Sequence, residues 1–181
     1  KITLIILTIL GLTFLGLRQY VIINTKKHSP EATVSYVKDQ AELKVFYNRP
    51  YKKGRKVFGG IVTFGRTWRT GANEATTFET SKDIFIANKI LPKGKYTLWT
   101  VPNKKEWEVI FNSKMYMWGV KTGSGKASRD PSFDYLNLQI PVAKIDTSIE
   151  QFTILFKEIN GSIKLLLTWD KIEIIIPIRI D

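Results

Sequence analysis

The chain has 181 residues, of which 44% are hydrophobic and 12% aromatic, and it carries a formal net charge of +12. This composition predicts one folded domain behind an N-terminal appendage and excludes a disordered chain. Because the sequence has no cysteine and one histidine, it excludes thiol catalysis, disulfides and cysteine-based zinc sites. We predict no metal site and no cofactor.

The excess of basic residues indicates an anionic partner, such as an acidic glycan, a lipid headgroup, a phosphate or a nucleic acid. A lysine-rich face that only keeps the domain soluble explains the charge as well, and composition does not choose between them. His28, the single histidine, lies in a polar stretch that follows the apolar leader. A general base needs a position fixed by packing, so a Ser-His-Asp triad is disfavoured.

The N-terminal segment is dominated by isoleucine and leucine over residues 2–23. A transmembrane helix needs about 20 apolar residues, so we assign residues 1–23 as a signal-anchor or signal peptide that contacts the membrane. No small-x-small cleavage site precedes Gln19, which favours an uncleaved anchor over a cleaved signal peptide. A buried core helix is the third interpretation. Residues 24–31 follow as a polar linker.

From residue 32 to residue 181, short β-rich runs alternate with turn residues. Ten strands are predicted, at Ala32–Val37, Ala41–Tyr47, Ala75–Thr80, Asp83–Ala87, Tyr96–Val101, Trp107–Asn112, Phe133–Ile140, Gln151–Glu158, Ile163–Trp169 and Ile172–Ile180. Asn160-Gly161 predicts a two-residue hairpin, and residues 169–171 are expected to reverse the chain again. The predicted fold is therefore all-β, a single antiparallel β-sandwich of about ten short strands preceded by an N-terminal hydrophobic helix.

A basic segment reaches from Lys44 to Asn73 and contains no acidic residue. Its basic residues are Lys44, Arg49, Lys52, Lys53, Arg55, Lys56, Arg66 and Arg69. Guanidinium groups suit carboxylate, phosphate or sulfate, and an indole ring offers a face for a sugar. Asn73 and Glu74 are expected to orient the turn that follows. We therefore predict a ligand-binding surface without catalytic residues at Arg55, Arg66, Trp68, Arg69, Asn73 and Glu74.

The same residues also have an architectural interpretation. Trp68 would plug one end of the sandwich, Arg69 would pair with Glu74 across the turn, and Asn73 would cap the backbone. The chain would then be a structural or protein-interaction domain without a small ligand. The sequence leaves both interpretations open.

Residues 119–127 are rich in glycine and lysine, as in a phosphate-binding loop, but depart from that motif. Val120 stands where a glycine is required, and Ala127 replaces the Ser or Thr that would hold magnesium. We expect this segment to be an exposed, mobile surface loop.

Two further functions have weaker support in the sequence. Glu74, Glu79 and Asp83 lie close together in the chain and raise the alternative of a carboxylate-dependent glycan hydrolase. Aromatic residues among the arginines fit a single-strand nucleic-acid binder loosely. The apolar leader disfavours nucleic acid, because an exported or membrane-tethered domain seldom meets it.

Several blocks of the sequence resemble the domain-of-unknown-function family 2911. They are Arg49-Pro50, Gly54–Gly60, Trp68–Thr76, Leu91–Leu98, Trp107–Asn112 and Leu167–Asp170, in this order. The Gly-Ala-Asn-Glu-Ala-Thr block at residues 71–76 is highly specific. The resemblance implies a bacterial protein with an export signal, and the family brings no established activity with it.

These features together predict an uncharacterised bacterial envelope domain, non-enzymatic in character, whose basic and aromatic surface binds an anionic or glycan ligand. Its expected location is the inner membrane, facing the periplasm, or the periplasm and exterior if the leader is cleaved. The sequence indicates no oligomeric state.

Overall fold

The computed structural model describes residues 1–180, apart from the side chain of Arg18. Within that part of the chain there are one long helix, α1 (Ile2–His28), and a short 3₁₀ helix at Pro131–Phe133. The strands are β1 (Glu31–Lys38), β2 (Ala41–Asn48), β3 (Thr77–Thr80), β4 (Ile84–Ile86), β5 (Lys89–Leu91), β6 (Gly94–Val101), β7 (Glu106–Asn112), β8 (Asp134–Ile159) and β9 (Ser162–Arg179).

The strands form one hydrogen-bonded sheet with the order β1-β2-β3-β6-β7-β8-β9-β4-β5. Every neighbouring pair is antiparallel. The predicted hairpin at Asn160-Gly161 is present, since Ile159 pairs with Ser162 and the two turn residues have φ values of 50° and 73°. The all-β class and the preceding apolar helix are therefore confirmed.

The strands differ from the prediction mainly in length. β8 and β9 have 26 and 18 residues, and each contains two of the strands that were predicted separately. The predicted reversal at residues 169–171 is wrong, because β9 continues through these residues. Asp170 adopts a φ of 52° within the strand. The register with β8 shifts between Ile149 and Thr153. Such a bulge bends a strand without reversing it.

β8 carries the chain from one layer of the sheet to the other. Its first part pairs with β7 and its second part with β9. The layers meet in the core, where the Tyr47 hydroxyl of β2 donates to the Ile154 carbonyl at 3.1 Å and accepts from the Ile154 amide at 2.9 Å. The rings of Tyr36 and Phe156 are 5.9 Å apart. The single sheet thus folds over on itself to give sandwich packing.

Side-chain alternation in β2 explains which face is buried. Leu43 and Val45 are fully buried, while the alternating residues Glu42 and Lys44 are exposed. The core combines many aliphatic side chains with several large aromatic ones, and full burial of one such side chain contributes about 1.5–3 kcal/mol. Its largest buried side chains include Trp99, Trp107, Trp169, Phe78, Phe111 and Phe152.

Helix α1 has 27 residues, a length of about 40 Å at 1.5 Å per residue. Its most apolar window has a mean hydropathy of 1.8 and none of it is buried. By length and composition this helix is able to cross a membrane, a test that a signal sequence also passes. It ends just before Ser29, because a residue that precedes proline is disfavoured in the α-conformation. The helix therefore includes the first residues of the segment 24–31.

Candidate functional site

The irregular segment between β2 and β3, residues 49–76, is fastened to the sheet at Trp68. The Trp68 amide donates to the Thr100 carbonyl at 2.7 Å, and the Thr100 amide donates back to the Trp68 carbonyl at 3.0 Å. Trp68 thereby acts as a short additional strand position beside β6. Its ring is thereby held against the sandwich.

The Trp68 ring belongs to a packed aromatic cluster. It stacks on Trp169 at 6.1 Å with an interplanar angle of 18°, and it contacts Phe152 at 5.0 Å. Phe58 and Trp107 approach it edge-on. Each such pair adds about 0.5–1.5 kcal/mol beyond its buried area. The indole nitrogen donates to the Gly71 carbonyl at 2.9 Å, so Trp68 also fixes the turn that follows.

That turn holds two residues in a conformation that non-glycine residues rarely adopt. Thr70 and Asn73 both have a φ of 54°, and a β-branched residue is a genuine outlier there. Thr76 fixes Thr70 by donating its hydroxyl to the Thr70 carbonyl at 2.6 Å. Between them, a Cβ on Gly71 would lie 2.8 Å from the Asn48 carbonyl oxygen. Strain of this kind persists only where the surroundings impose it, and it clusters at functional sites.

Asn73 and Glu74 are directed into a polar network with the linker and β2. The Asn73 amide donates to Asn48 Oδ1 at 3.3 Å and to the Ser29 carbonyl at 3.5 Å. Asn48 donates in turn to Glu74 Oε2 at 2.9 Å, and Lys26 Nζ lies 3.2 Å from Glu74 Oε1. These two predicted site residues therefore hold the turn and the linker in place.

Arg69 is half-buried, and its Nε has neither solvent contact nor a hydrogen-bond partner. The Arg69–Glu74 ion pair of the architectural interpretation is absent: among residues 1–180, Glu74 pairs with Lys26, and no carboxylate lies within ion-pair distance of Arg69. Burial lowers the pKa of Arg69, and the charge of Glu74 opposes that effect. The backbone of Gly119 packs on its aliphatic part, since a Cβ there would lie 2.1 Å from Arg69 Cδ.

Arg69 lines a cavity of about 210 Å³, which we name the Arg69 cavity. It contains the polar side chains of Arg66, Arg69 and Thr63, and its apolar walls include Trp68, Trp169 and Val62. The structure thus brings together three of the six predicted site residues. Of the others, Arg55 lies outside this cavity. Its guanidinium donates to the carbonyls of Lys52 and Tyr51 at 3.0 and 2.8 Å.

A sequence profile of DUF2911, described as a protein of unknown function, matches residues 29–178. The chain belongs to this family. The resemblance seen in the sequence blocks is confirmed, and the profile covers the sandwich without helix α1. No curated protein and no solved structure matches the chain. DUF2911 membership defines the domain but no activity, so its function rests on the geometry of the site.

A second, larger cavity of about 480 Å³ adjoins the Arg69 cavity in this DUF2911 domain, and we name it the Lys126 cavity. The two share Arg66 and Gly125 as wall residues. The segment 119–127 is a closed loop, with Val120 bridged to Ala127. Residues 121–126 are exposed, as expected, and the loop nevertheless supplies walls to both cavities.

Sequence reasoning missed Arg129, the best-paired arginine near the site. Its guanidinium donates to both carboxylate oxygens of Asp134, at 2.6–3.2 Å, and to Thr67 Oγ1 at 3.1 Å. Thr67 lies between Arg66 and Trp68, so Arg129 positions the arginine-bearing segment. The sequence signal was Arg129-Asp130-Pro131 at the end of the glycine-rich loop, but nothing local links it to Thr67.

The acidic residues considered for hydrolysis do not converge. Glu79 is exposed and lies 3.7 Å from Lys95, while Asp83 accepts a hydrogen bond from the Lys93 amide at 2.8 Å. Neither the Arg69 cavity nor the Lys126 cavity has a carboxylate among its lining residues. In the part of the chain that the structure describes, no group of three or more acidic, histidine or cysteine side chains forms a metal-ligand set.

Proposed function

We propose that this DUF2911 domain binds the anionic group of an acidic glycan in the Arg69 cavity. The observation that carries the proposal is the unsatisfied guanidinium of Arg69. Buried polar groups in native proteins nearly always have a partner, and an exception requires an explanation. Arg69 Nε lacks a partner within residues 1–180 and its side chain lines a cavity. An anion in this cavity would pair with the terminal nitrogens of the same guanidinium, which, unlike Nε, are not buried and have no hydrogen-bond partner among these residues.

The chemistry of the cavity supports an anion as the ligand. Arg66 and Arg69 are three residues apart and line the same cavity, and two guanidinium groups offer several donors to one carboxylate or phosphate. A charged partner also offsets the desolvation of Arg69, which lowers the pKa of its guanidinium in the free protein. Glu74 does not compete, because its carboxylate is held by Lys26 and Asn48.

The remaining walls support a sugar as the carrier of that anion. Half-buried Trp68 lines the cavity with the fully buried Trp169 ring stacked behind it, and Thr63 adds a hydroxyl. Apolar walls with few converging polar groups are typical of small-molecule sites. Because neither cavity is lined by a carboxylate, binding has more support than carboxylate-dependent hydrolysis.

We propose that the domain performs this binding in the bacterial envelope, tethered by residues 2–23 or released after their cleavage. Helix α1 is long and apolar enough for an anchor. The export signal that the family resemblance implies agrees with this location. An acidic glycan of the cell envelope is the class of ligand that a basic domain meets there.

Isothermal titration of the full chain in detergent micelles with galacturonic acid tests the proposal, with galactose as the neutral control. We expect galacturonic acid to bind and galactose not to bind, and we expect added salt to weaken the binding of galacturonic acid. Arg69→Met should weaken it by at least about tenfold, because hydrogen bonds to a charged group contribute about 1.5–3 kcal/mol. The matched control is Lys121→Met, which removes one exposed charge from outside both cavities.

Thermal unfolding shows whether each variant is folded before it is titrated. Equal affinity for galactose and galacturonic acid, or unchanged affinity in a folded Arg69→Met, would contradict the proposal. Binding of inorganic phosphate in place of galacturonic acid would retain an anion site and replace the glycan as its ligand.

A further inference from the structure

The Lys126 cavity continues the Arg69 cavity through a shared wall. Both contain Arg66 and Gly125, and their volumes are about 210 and 480 Å³. The smaller cavity suits one charged group with its ring. The larger one lies in the range of about 300–1,000 Å³ that is usual for small-ligand pockets. A ligand with a single charged unit would leave the larger cavity unused.

The loop that forms the Lys126 cavity is fixed at both ends to the segment that carries the arginines. At one end, the Gly119 amide donates to the Asn73 carbonyl at 2.9 Å, and the glycine packs on Arg69. At the other end, Arg129 binds Thr67 Oγ1 at 3.1 Å. Between these points the loop is closed by a hydrogen bond from the Lys121 amide to the Lys126 carbonyl at 2.8 Å. The two cavities are therefore built as one unit.

The charges in the Lys126 cavity favour a second anionic group. Arg129 is neutralised by Asp134. Arg66 and Lys126 line the cavity, and neither side chain has an ion pair within residues 1–180. Thr67 and Ser124 add hydroxyl groups to the same walls. The cavity thus offers two unpaired cations and neutral hydrogen-bonding groups, which is a suitable environment for a second charged sugar.

We propose that the ligand is an acidic oligosaccharide with at least two charged sugar units. One unit lies in the Arg69 cavity and the next in the Lys126 cavity, with Arg66 between their anionic groups. The proposal rests on the proposed function of the Arg69 cavity and adds a second subsite that Lys126 defines. Two linked units bind with the advantage of effective concentration, so an oligomer gains affinity over its monomer.

Titration of the full chain in detergent micelles with galacturonic acid and with trigalacturonic acid tests the second subsite. We expect the trimer to bind at least about tenfold more tightly than the monomer. Lys126→Ala should remove about three- to tenfold of the trimer affinity and leave the monomer affinity unchanged. Arg69→Met should weaken both ligands. Lys121→Ala, on the same loop and outside both cavities, is the matched control and should change neither.

The outcomes separate this inference from the proposed function. Monomer and trimer of equal affinity, or equal losses for both in Lys126→Ala, would overturn the second subsite and leave the Arg69 cavity as a single-anion site. Failure of both ligands to bind the wild type would overturn both proposals. Tight binding of tripolyphosphate without trigalacturonic acid would overturn the oligosaccharide assignment, because the two-anion preference would then belong to a phosphate chain.

Discussion

Arg129 and Arg69 stand at the walls of adjoining cavities, and their guanidinium groups are satisfied in opposite ways. Arg129 binds Asp134 with two nitrogens and Thr67 with a third. The Arg69 side chain is half-buried against Gly119 and has no hydrogen bond or ion pair within the described chain. An arginine that serves architecture is therefore paired inside the protein, whereas Arg69 is the arginine for which we propose a ligand.

The largest expected effect is the loss of stability in Arg129→Ala. The Arg129 and Asp134 side chains are 13% and 18% exposed, so removal of the arginine leaves a mostly buried carboxylate without its counter-ion and with the Asn112 amide as a remaining donor. We expect a loss of about 2–3 kcal/mol, somewhat below the value for a fully buried pair. In a domain of this size the melting temperature falls by about 2–4 °C per kcal/mol. Thermal or urea unfolding measures the change.

Arg69→Met is the opposite arm of the same comparison. It replaces a desolvated charge by an apolar side chain of similar length, so stability should change by less than about 1 kcal/mol. Equal destabilisation by Arg129→Ala and Arg69→Met would abolish the distinction between a scaffold arginine and a ligand arginine.

The double variant Arg129→Ala/Asp134→Ala tests the Arg129–Asp134 pair itself. It should lose less stability than the sum of its single variants, because each of those leaves the other partner unpaired.

For Gly119→Ala we expect a smaller loss of stability than for Arg129→Ala. The new Cβ would lie 2.1 Å from Arg69 Cδ and 2.7 Å from Arg69 Cβ, so the arginine has to move. We expect a loss of about 1–2 kcal/mol from overpacking, together with weaker binding of galacturonic acid. Introduced into an Arg69→Ala background, the same substitution should destabilise the protein less, since alanine lacks the Cγ and Cδ atoms that the new Cβ would contact. An identical cost in both backgrounds would show that Gly119 does not position Arg69.

Much of the fold could be predicted because its signals are local. Leu43 and Val45 alternate with exposed residues, and Asn160-Gly161 forms a hairpin that two residues specify. The continuity of β8 and β9 could not be predicted in this way. Asp170 has the composition of a turn residue, and only its pairing with Ile149 across the sheet shows that the strand bends and continues.

The candidate site also has features that neighbouring residues predict and features that depend on partners distant in sequence. Arg66, Trp68 and Arg69 were predicted together because they are close in sequence, and they line one cavity. Arg129 was missed because its partner Thr67 is 62 positions away. The pairing of Arg69 with Glu74, which the architectural interpretation required, is absent for a related reason. Asn48 and the helix residue Lys26, both distant in sequence, bind the carboxylate instead.

The smallest effect concerns a third paired charge, Asp170 at the bend of β9, whose carboxylate is held by Lys52 and by Ser148 at 2.7 Å. The hydrogen bond from Lys52 lowers the pKa of Asp170 below 3.8 despite partial burial. A carboxyl group whose pKa is lower in the folded than in the unfolded protein stabilises the folded state at pH values above its unfolded pKa, about 3.9. This stabilisation is lost as the pH falls through the pKa of the folded state. Asp170→Asn should therefore cost up to about 1 kcal/mol at pH 7.

That cost should shrink as the pH falls below about 4, where the wild type also loses the contribution. Urea unfolding at a series of pH values measures it, with Asp146→Asn as the control for loss of an exposed charge on β8. A cost that stays constant down to pH 2 would mean that Asp170 acts through its left-handed backbone, at a φ of 52°, and not through its charge. Asparagine tolerates that conformation as well as aspartate does. We therefore expect the charge to account for the difference, which would make Asp170 a scaffold charge like Arg129 and leave Arg69 as the exception.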